Sequence, residues 1–463
     1  MDLLARDLAG WSQALRHGET TAAALTEAAL ARIAKHDGTL HAMSVVLADA
    51  ARAAAALSDR RRHAGQAIGP LDGIPLTVKD NIDIAHTAST AGMASRTHLI
   101  ATVDAQVTAR LRAAGAVLLG KTAMQEAALG AINDGPLHGR AYNPHKANYT
   151  PGGSSGGAAA AVAAGYGLGA LGTDTLGSVR IPAAYCGVVG LKPTYGRVST
   201  RGVVPLSFTF DHVGPLARSV RDAGLLLDGI TGFDPLSPDS CQPRGPDPGS
   251  FVPGEATSLK GVSLGRLANI DEVEIEPGVA HAFATALDVL RDLGATIRDV
   301  SLPGYDFGKA RRAGLVVTEA EGAVVHADDL LHRADRLSPG LRAMLTYGAT
   351  MKAGQLVAAQ RLIAGTARRA RAAFAGCAAI LTPHGPQTAF RFDTPVPHSQ
   401  ADFTAIANLM GAPALSVPMG FAPNGLPAGL HLIGWPWQEA PLLAIARAYE
   451  AAAGFDMRPR GLA

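Results

Sequence analysis

Between Lys146 and Asp174 the chain carries no charged side chain, and residues 158–171 within that stretch are mostly alanine and glycine. Such residues bury little area each, and the run falls short of the ~20 strongly apolar residues that cross a bilayer. It reads instead as a tightly packed internal helix leading into a strand. Two glycine loops flank it, each presenting a serine: Pro151-Gly152-Gly153-Ser154-Ser155-Gly156-Gly157 and Gly172-Thr173-Asp174-Thr175-Leu176-Gly177-Ser178. A tightly packed helix of small residues thus lies between two serine-bearing loops.

The rest of the pattern supports an α/β chain. Helices are predicted over 20–35 and 48–62, and a short strand over 74–78 ending at Lys79. A helix follows over 106–114, then a strand over 116–119 and a helix from Thr122. Residues 130–153 read as loop, 158–164 as helix, and 167–171 and 188–191 as strands. Residues 233–258 are rich in Pro, Asp, Ser and Gly and read as a surface loop. Strands over 262–264 and 296–300 bracket a helix over 279–293. Helices fill 308–376. Strands over 378–381, 414–417 and 429–433 precede a last helix over 440–452. The expectation is one large domain spanning 1–463, a mixed central sheet covered by helices on both faces, with N-terminal helices over about 1–65 packing on the core.

Composition narrows the partners. Of 463 residues, 48% are hydrophobic and 17% charged, as in a globular protein. A net charge of +2 gives no electrostatic case for nucleic acid. Arg60-Arg61-Arg62 and the group Arg368, Arg369 and Arg371 lie in helical patterns and read as solvated faces. Three widely spaced cysteines, Cys186, Cys241 and Cys377, indicate neither a disulfide framework nor a zinc site. Residues 1–7 lack the basic-then-apolar order of a signal peptide. A cytoplasmic setting with no membrane, metal or cofactor is expected, and a homodimer is compatible with it.

Two motif matches are decoys. Gly115 to Thr122 fits the P-loop string, but its variable residues, Ala-Val-Leu-Leu, are themselves the predicted strand and cannot cradle phosphate. Gly152-Gly153-Ser154-Ser155-Gly156 fits the nucleophile-elbow string, yet the preceding residues 143–151 are polar and proline-broken where an elbow needs a buried strand. A Ser-His-Asp hydrolase is thus the weaker reading. Two serine-bearing glycine loops suggest a nucleophile beside backbone N–H donors, which suits acyl transfer.

With these strings the chain resembles the amidase signature family of serine hydrolases. The likeness continues through Val179-Arg180-Ile181-Pro182-Ala183-Ala184, Cys186 to Thr194, Asp211-His212-Val213-Gly214-Pro215, Gln360-Arg361, Leu381-Thr382-Pro383, Gly425-Leu426-Pro427 and Leu432-Ile433-Gly434. It implies a Ser–cisSer–Lys triad: Ser178 as nucleophile, Ser154 as the bridging serine after a cis peptide, and Lys79 as base. It further implies an oxyanion hole from the N–H groups of Thr175, Leu176, Gly177 and Ser178, with Ser155, Asp174 and Arg180 as supports. The base must be neutral, which burial of a lysine promotes. The family usually carries Gly where Leu176 stands, so Leu176 is expected to shape specificity.

The implied activity is hydrolysis of a small-molecule amide, anilide or carbamate (urethane), as in aryl acylamidases and urethanases. Residues 310–375 favour a free-standing enzyme, and Trp435-Pro436-Trp437, Met410 and Met419 hint at apolar surroundings. A glutaminase-type subunit of a tRNA-dependent amidotransferase, which residues 186–205 resemble most, is the alternative. A non-catalytic scaffold subunit is the alternative of another class.

Overall fold

The short apolar runs join into one mixed sheet. The computed structural model describes residues 1–242, 249–255 and 257–462; part of the loop expected over 233–258 lies outside the described residues. The strands are β1 (Met43–Val46), β2 (Pro75–Lys79), β3 (Val117–Thr122), β4 (Asp134–Gly135), β5 (Gly139–Arg140), β6 (Gly169–Asp174), β7 (Val189–Lys192) and β8 (His212–Ala217). They continue with β9 (Ser263–Leu267), β10 (Thr296–Val300), β11 (Ala379–Pro383), β12 (Ala414–Phe421) and β13 (Pro427–Ile433). All but the β4–β5 hairpin form an 11-stranded sheet among the described residues, in the order β1-β3-β2-β6-β8-β7-β12-β13-β11-β9-β10.

Among the described residues, parallel pairing is confined to β3-β2-β6 and β11-β9-β10, and the strands between them, from β6 through β8, β7, β12 and β13 to β11, pair antiparallel. Central strands such as β2, β6, β7 and β8 are buried along their whole length, as expected where helices flank the sheet. The edge strands β1 and β10 are partly exposed.

The flanking helices are α1 (Leu8–Arg16), α2 (Ala22–Leu40), α3 (Ala48–His63), α4 (Gln106–Ala113), α5 (Gly156–Ala163), α6 (Arg180–Cys186) and α7 (Val220–Ile230). They continue with α8 (Pro277–Asp292), α9 (Phe307–Val325), α10 (Ala327–His332), α11 (Pro339–Thr350), α12 (Ala353–Ala373), α13 (Asp402–Leu409) and α14 (Glu439–Ala453). The small-residue stretch is indeed internal. Every residue of α5 is buried, and a Cβ on Gly157 would stand 2.6 Å from the carbonyl of Ala42 and 2.8 Å from the amide nitrogen of Ala123. At the N-terminus, Asp222 of α7 accepts the Leu8 and Ala9 N–H groups at 2.9 Å each and so caps α1.

Two local expectations are corrected. No helix begins at Thr122. The strand runs on through Lys121 and Thr122, paired with Val78 and Lys79, and Asp80 meets the buried Lys121 ammonium at 2.9 Å. Beyond it, left-handed Ala127 and Ala128 prevent a regular helix. The Arg60–Arg62 cluster is not simply solvated: Arg61 and Arg62 are half-buried and hydrogen-bond Asp72, whose buried carboxylate requires a cation. The Gly115–Thr122 string is strand from Val117 onward and fully buried there. No helix among the described residues is long and apolar enough to cross a membrane.

Candidate active site

The parallel pairing of β2 with β6 assembles the site. Val78 lies opposite Leu171, so Lys79 at the end of β2 comes beside Thr173 near the end of β6. In α/β sheets, chemistry gathers at such carboxyl ends. Lys79 is completely buried. Its Nζ stands 2.7 Å from Ser154 Oγ, 2.8 Å from Thr173 Oγ1 and 3.4 Å from the Thr173 carbonyl. Burial draws the ammonium down to about 7, against the upward pull of Asp211 and Asp174.

Ser154 sits in the loop before α5, where the Gly153–Ser154 peptide is cis. Its neighbour Ser155 ties the two serine loops together. The Ser155 N–H donates to the Ser178 carbonyl at 3.2 Å, and the Ser155 hydroxyl donates to the Thr173 carbonyl at 3.1 Å. Ser178 stands apart from everything around it. From Thr150 to Thr194 every residue is buried except Ser178. Its hydroxyl has no protein hydrogen bond among the described residues, so no direct hydrogen bond joins Ser154 to Ser178; such catalytic contacts commonly tighten on substrate binding.

Asp174 and Arg180 organise the loop that carries Ser178. The Arg180 guanidinium bridges both Asp174 oxygens at 3.0 Å, and both residues are buried. Burial alone would push the Asp174 carboxyl up, but Arg180, Lys192 and Asn408 hold it far below the usual carboxylate range. Asp174 also accepts the N–H groups of Gly177 at 2.8 Å and Val179 at 3.1 Å. The Gly177 N–H, expected to face the substrate, is therefore engaged inside the loop. The N–H groups of Thr175, Leu176 and Ser178 have no partner among the described residues. Gly177 adopts φ 138°, and the Thr404 hydroxyl occupies the space a Cβ would need.

Leu176 does not project into open space. It is 8% exposed and packs against Gly314 of α9. Met410 and Met419 belong to the main core, Trp435 donates to the Cys377 carbonyl, and the Arg197 guanidinium lies 4.7 Å from the Trp437 ring centre. No described contact brings these four residues to Ser178.

Sequence reading missed several supports. Thr173 and Asn81 complete the lysine's surroundings, with Asn81 Nδ2 donating to Thr173 Oγ1 at 3.1 Å. Asp211 accepts the Thr175 hydroxyl at 2.6 Å, and burial pushes its carboxyl up to about 6. Thr404 donates to the Leu176 carbonyl at 2.7 Å, and Asn408 to Asp174 at 2.9 Å. Asp211 and Thr173 lie inside the quoted family strings. Thr404 and Asn408 carry no comparable local signal.

The arrangement can take a proton from a hydroxyl beside a partly exposed serine and offer free N–H donors to an oxygen that becomes negative. Among the described residues, no group of three or more His, Cys, Asp or Glu could hold a metal ion.

The family model described as Amidase matches residues 24–443. The chain belongs to the amidase signature family. It is 39% identical to a glutamyl-tRNA(Gln) amidotransferase subunit from Synechococcus sp. (strain CC9311), covering 98% of this chain and 99% of the relative. The same-named protein of Anaeromyxobacter sp. (strain K) is 41% identical over 93% and 92% of the two chains.

Among solved structures, one is described as an unexpected vestigial protein complex that reveals the evolutionary origins of an s-triazine catabolic enzyme. It superposes with a TM-score of 0.91 at 32% identity, covering 98% and 100%. Native peptide amidase from Stenotrophomonas maltophilia gives 0.87 at 32%, covering 98% of each chain. A bacterial aryl acylamidase of the amidase signature family gives 0.90 at 25%, covering 97% and 96%. The chain is accordingly an amidase signature enzyme acting on C–N bonds.

Proposed function

We propose that the chain cleaves a carboxamide C–N bond by acyl transfer to Ser178. The observation that carries this reading is the buried Lys79 amine, drawn down to about 7 and 2.7 Å from Ser154 Oγ. Ser178 Oγ attacks the carbonyl carbon, and its proton passes to Ser154 as the Ser154 proton passes to neutral Lys79. The free N–H groups of Thr175, Leu176 and Ser178 receive the oxygen that becomes negative. As the tetrahedral intermediate collapses, the C–N bond breaks and the leaving nitrogen takes a proton back through Ser154. Water, deprotonated by the same relay, then hydrolyses the ester and frees Ser178.

For the finer substrate, the full-length relatives support a glutaminase-type subunit that releases ammonia from the glutamine amide. On that reading the partners include further subunits and glutamyl-tRNA, contrary to the expectation of no nucleic acid. A second reading, a free-standing amidase, has the support of the likeness to peptide amidase. An anilide substrate has narrower support, from the aryl acylamidase at 25% identity.

The purified chain should be assayed with L-glutamine, C-terminal peptide amides, anilides and carbamates. Ammonia from glutamine supports the subunit reading. Turnover of the other amides without glutamine turnover supports the free-standing enzyme. No turnover together with no labelling of Ser178 by a fluorophosphonate overturns the acyl-enzyme mechanism and favours a scaffold.

A further inference from the structure

Gly314 lies in the interior of α9, where alanine is the better helix former. A methyl group there would come 2.9 Å from Leu176 Cδ2 and 3.2 Å from Cδ1. The Leu176 side chain thus occupies the notch left by the missing Cβ. The rest of Leu176 is held as firmly. Its carbonyl accepts from Thr404 on α13 at 2.7 Å, and the following N–H is tied to Asp174 at 2.8 Å. Its own N–H is one of the unpartnered donors beside Ser178.

We infer that Gly314 is a positioning residue for the oxyanion donors: by admitting the Leu176 side chain, it sets the orientation of the Thr175–Leu176 peptide. The inference rests on the reading in which those N–H groups receive the substrate oxygen. A methyl on Gly314 would press on the Leu176 Cδ atoms, while Thr404 holds the Leu176 carbonyl and Asp174 the Gly177 N–H. With the Leu176 side chain buried and its carbonyl held, the part of that displacement that its Cδ atoms do not absorb falls on the peptide plane that carries the Leu176 N–H. A glycine serving only helix packing would have no such reach.

The test is a double-mutant cycle read by the rate of fluorophosphonate labelling at Ser178, whose tetrahedral adduct places an oxygen on the same donors. Labelling of the wild-type chain at Ser178 establishes the underlying reading, and its absence fails that reading and this one together. Given wild-type labelling, Gly314→Ala should slow the reaction about 10- to 100-fold, at or below the loss caused by deleting one donor outright. The melting temperature should be little changed, and any loss in substrate turnover should fall on kcat more than on KM. In a Leu176→Ala background, which removes both Cδ atoms, adding Gly314→Ala should change the rate by less than about threefold. A Gly314→Ala rate within about twofold of wild type overturns the inference, as does an equal loss in both backgrounds. Should Gly314→Ala alone fail to fold, the double variant still decides. It must match Leu176→Ala, and an inactive or unfolded double variant overturns the inference.

Discussion

Lys79 and Ser154, far apart in the sequence, meet at 2.7 Å with the lysine sealed from solvent. A charged ammonium there would lack water and, among the described residues, has no carboxylate at hydrogen-bond distance. The nearest negative charges, Asp211 and Asp174, pull its proton affinity upward only through space. Burial prevails, leaving a substantial neutral fraction near pH 7.

The first prediction concerns the nucleophile. Ser178→Ala should lower turnover by several orders of magnitude, as loss of a nucleophile does in other serine hydrolases. The fold should be unchanged, because the Ser178 hydroxyl has no protein partner among the described residues. Peptide mass mapping after fluorophosphonate treatment should place the adduct on Ser178. An adduct on Ser154 or Ser155, with Ser178 unmodified, would refute the assignment.

A pH dependence follows from Lys79. The neutral amine is the active form, so kcat/KM should rise with pH through about 7 and level off above it. Below that range the ammonium dominates and activity falls about tenfold per pH unit. Lys79→Arg should be inactive throughout, since a guanidinium does not deprotonate in proteins. Sustained turnover by Lys79→Arg would assign the base elsewhere.

Thr173 places the amine. Its hydroxyl lies 2.8 Å from Lys79 Nζ and accepts from Asn81. Thr173→Val keeps the volume but removes both contacts, leaving the lysine free to swing from Ser154. A misplacement of about 1 Å can cost on the order of 100-fold, so kcat should fall about 10- to 100-fold with KM little affected. Unchanged kcat would show that Ser154 and the Thr173 carbonyl suffice to orient the lysine.

Leu176 is a stability element first. It is buried against α9, so Leu176→Ala should destabilise the fold by about 2–5 kcal/mol through the cavity it leaves. Denaturant unfolding measures the loss. The ratio of kcat/KM between a small and a bulky acyl substrate should stay nearly constant. A large change in that ratio with stability intact would restore the specificity role expected from the sequence.

Much of this protein is local and therefore legible in its sequence. The two serine loops, the strand ending at Lys79 and the charge-free internal helix follow from residue size, charge and hydrophobic period. The decoy P-loop was identifiable because its four variable residues are all apolar, and Val117–Thr122 is indeed a buried strand.

What tertiary structure decided lies where distant segments compete for the same groups. The sequence shows four consecutive N–H groups in the Ser178 loop, but only the fold turns Asp174 inward to take that of Gly177. The sequence shows a leucine beside those donors, but only α9, with Gly314 opposite, determines which way it points. It shows a lysine after an apolar strand, but the parallel register of β2 and β6 places that lysine next to Thr173. Each depends on contacts between residues far apart along the chain, and side-chain type and period carry no information about which distant partner will arrive.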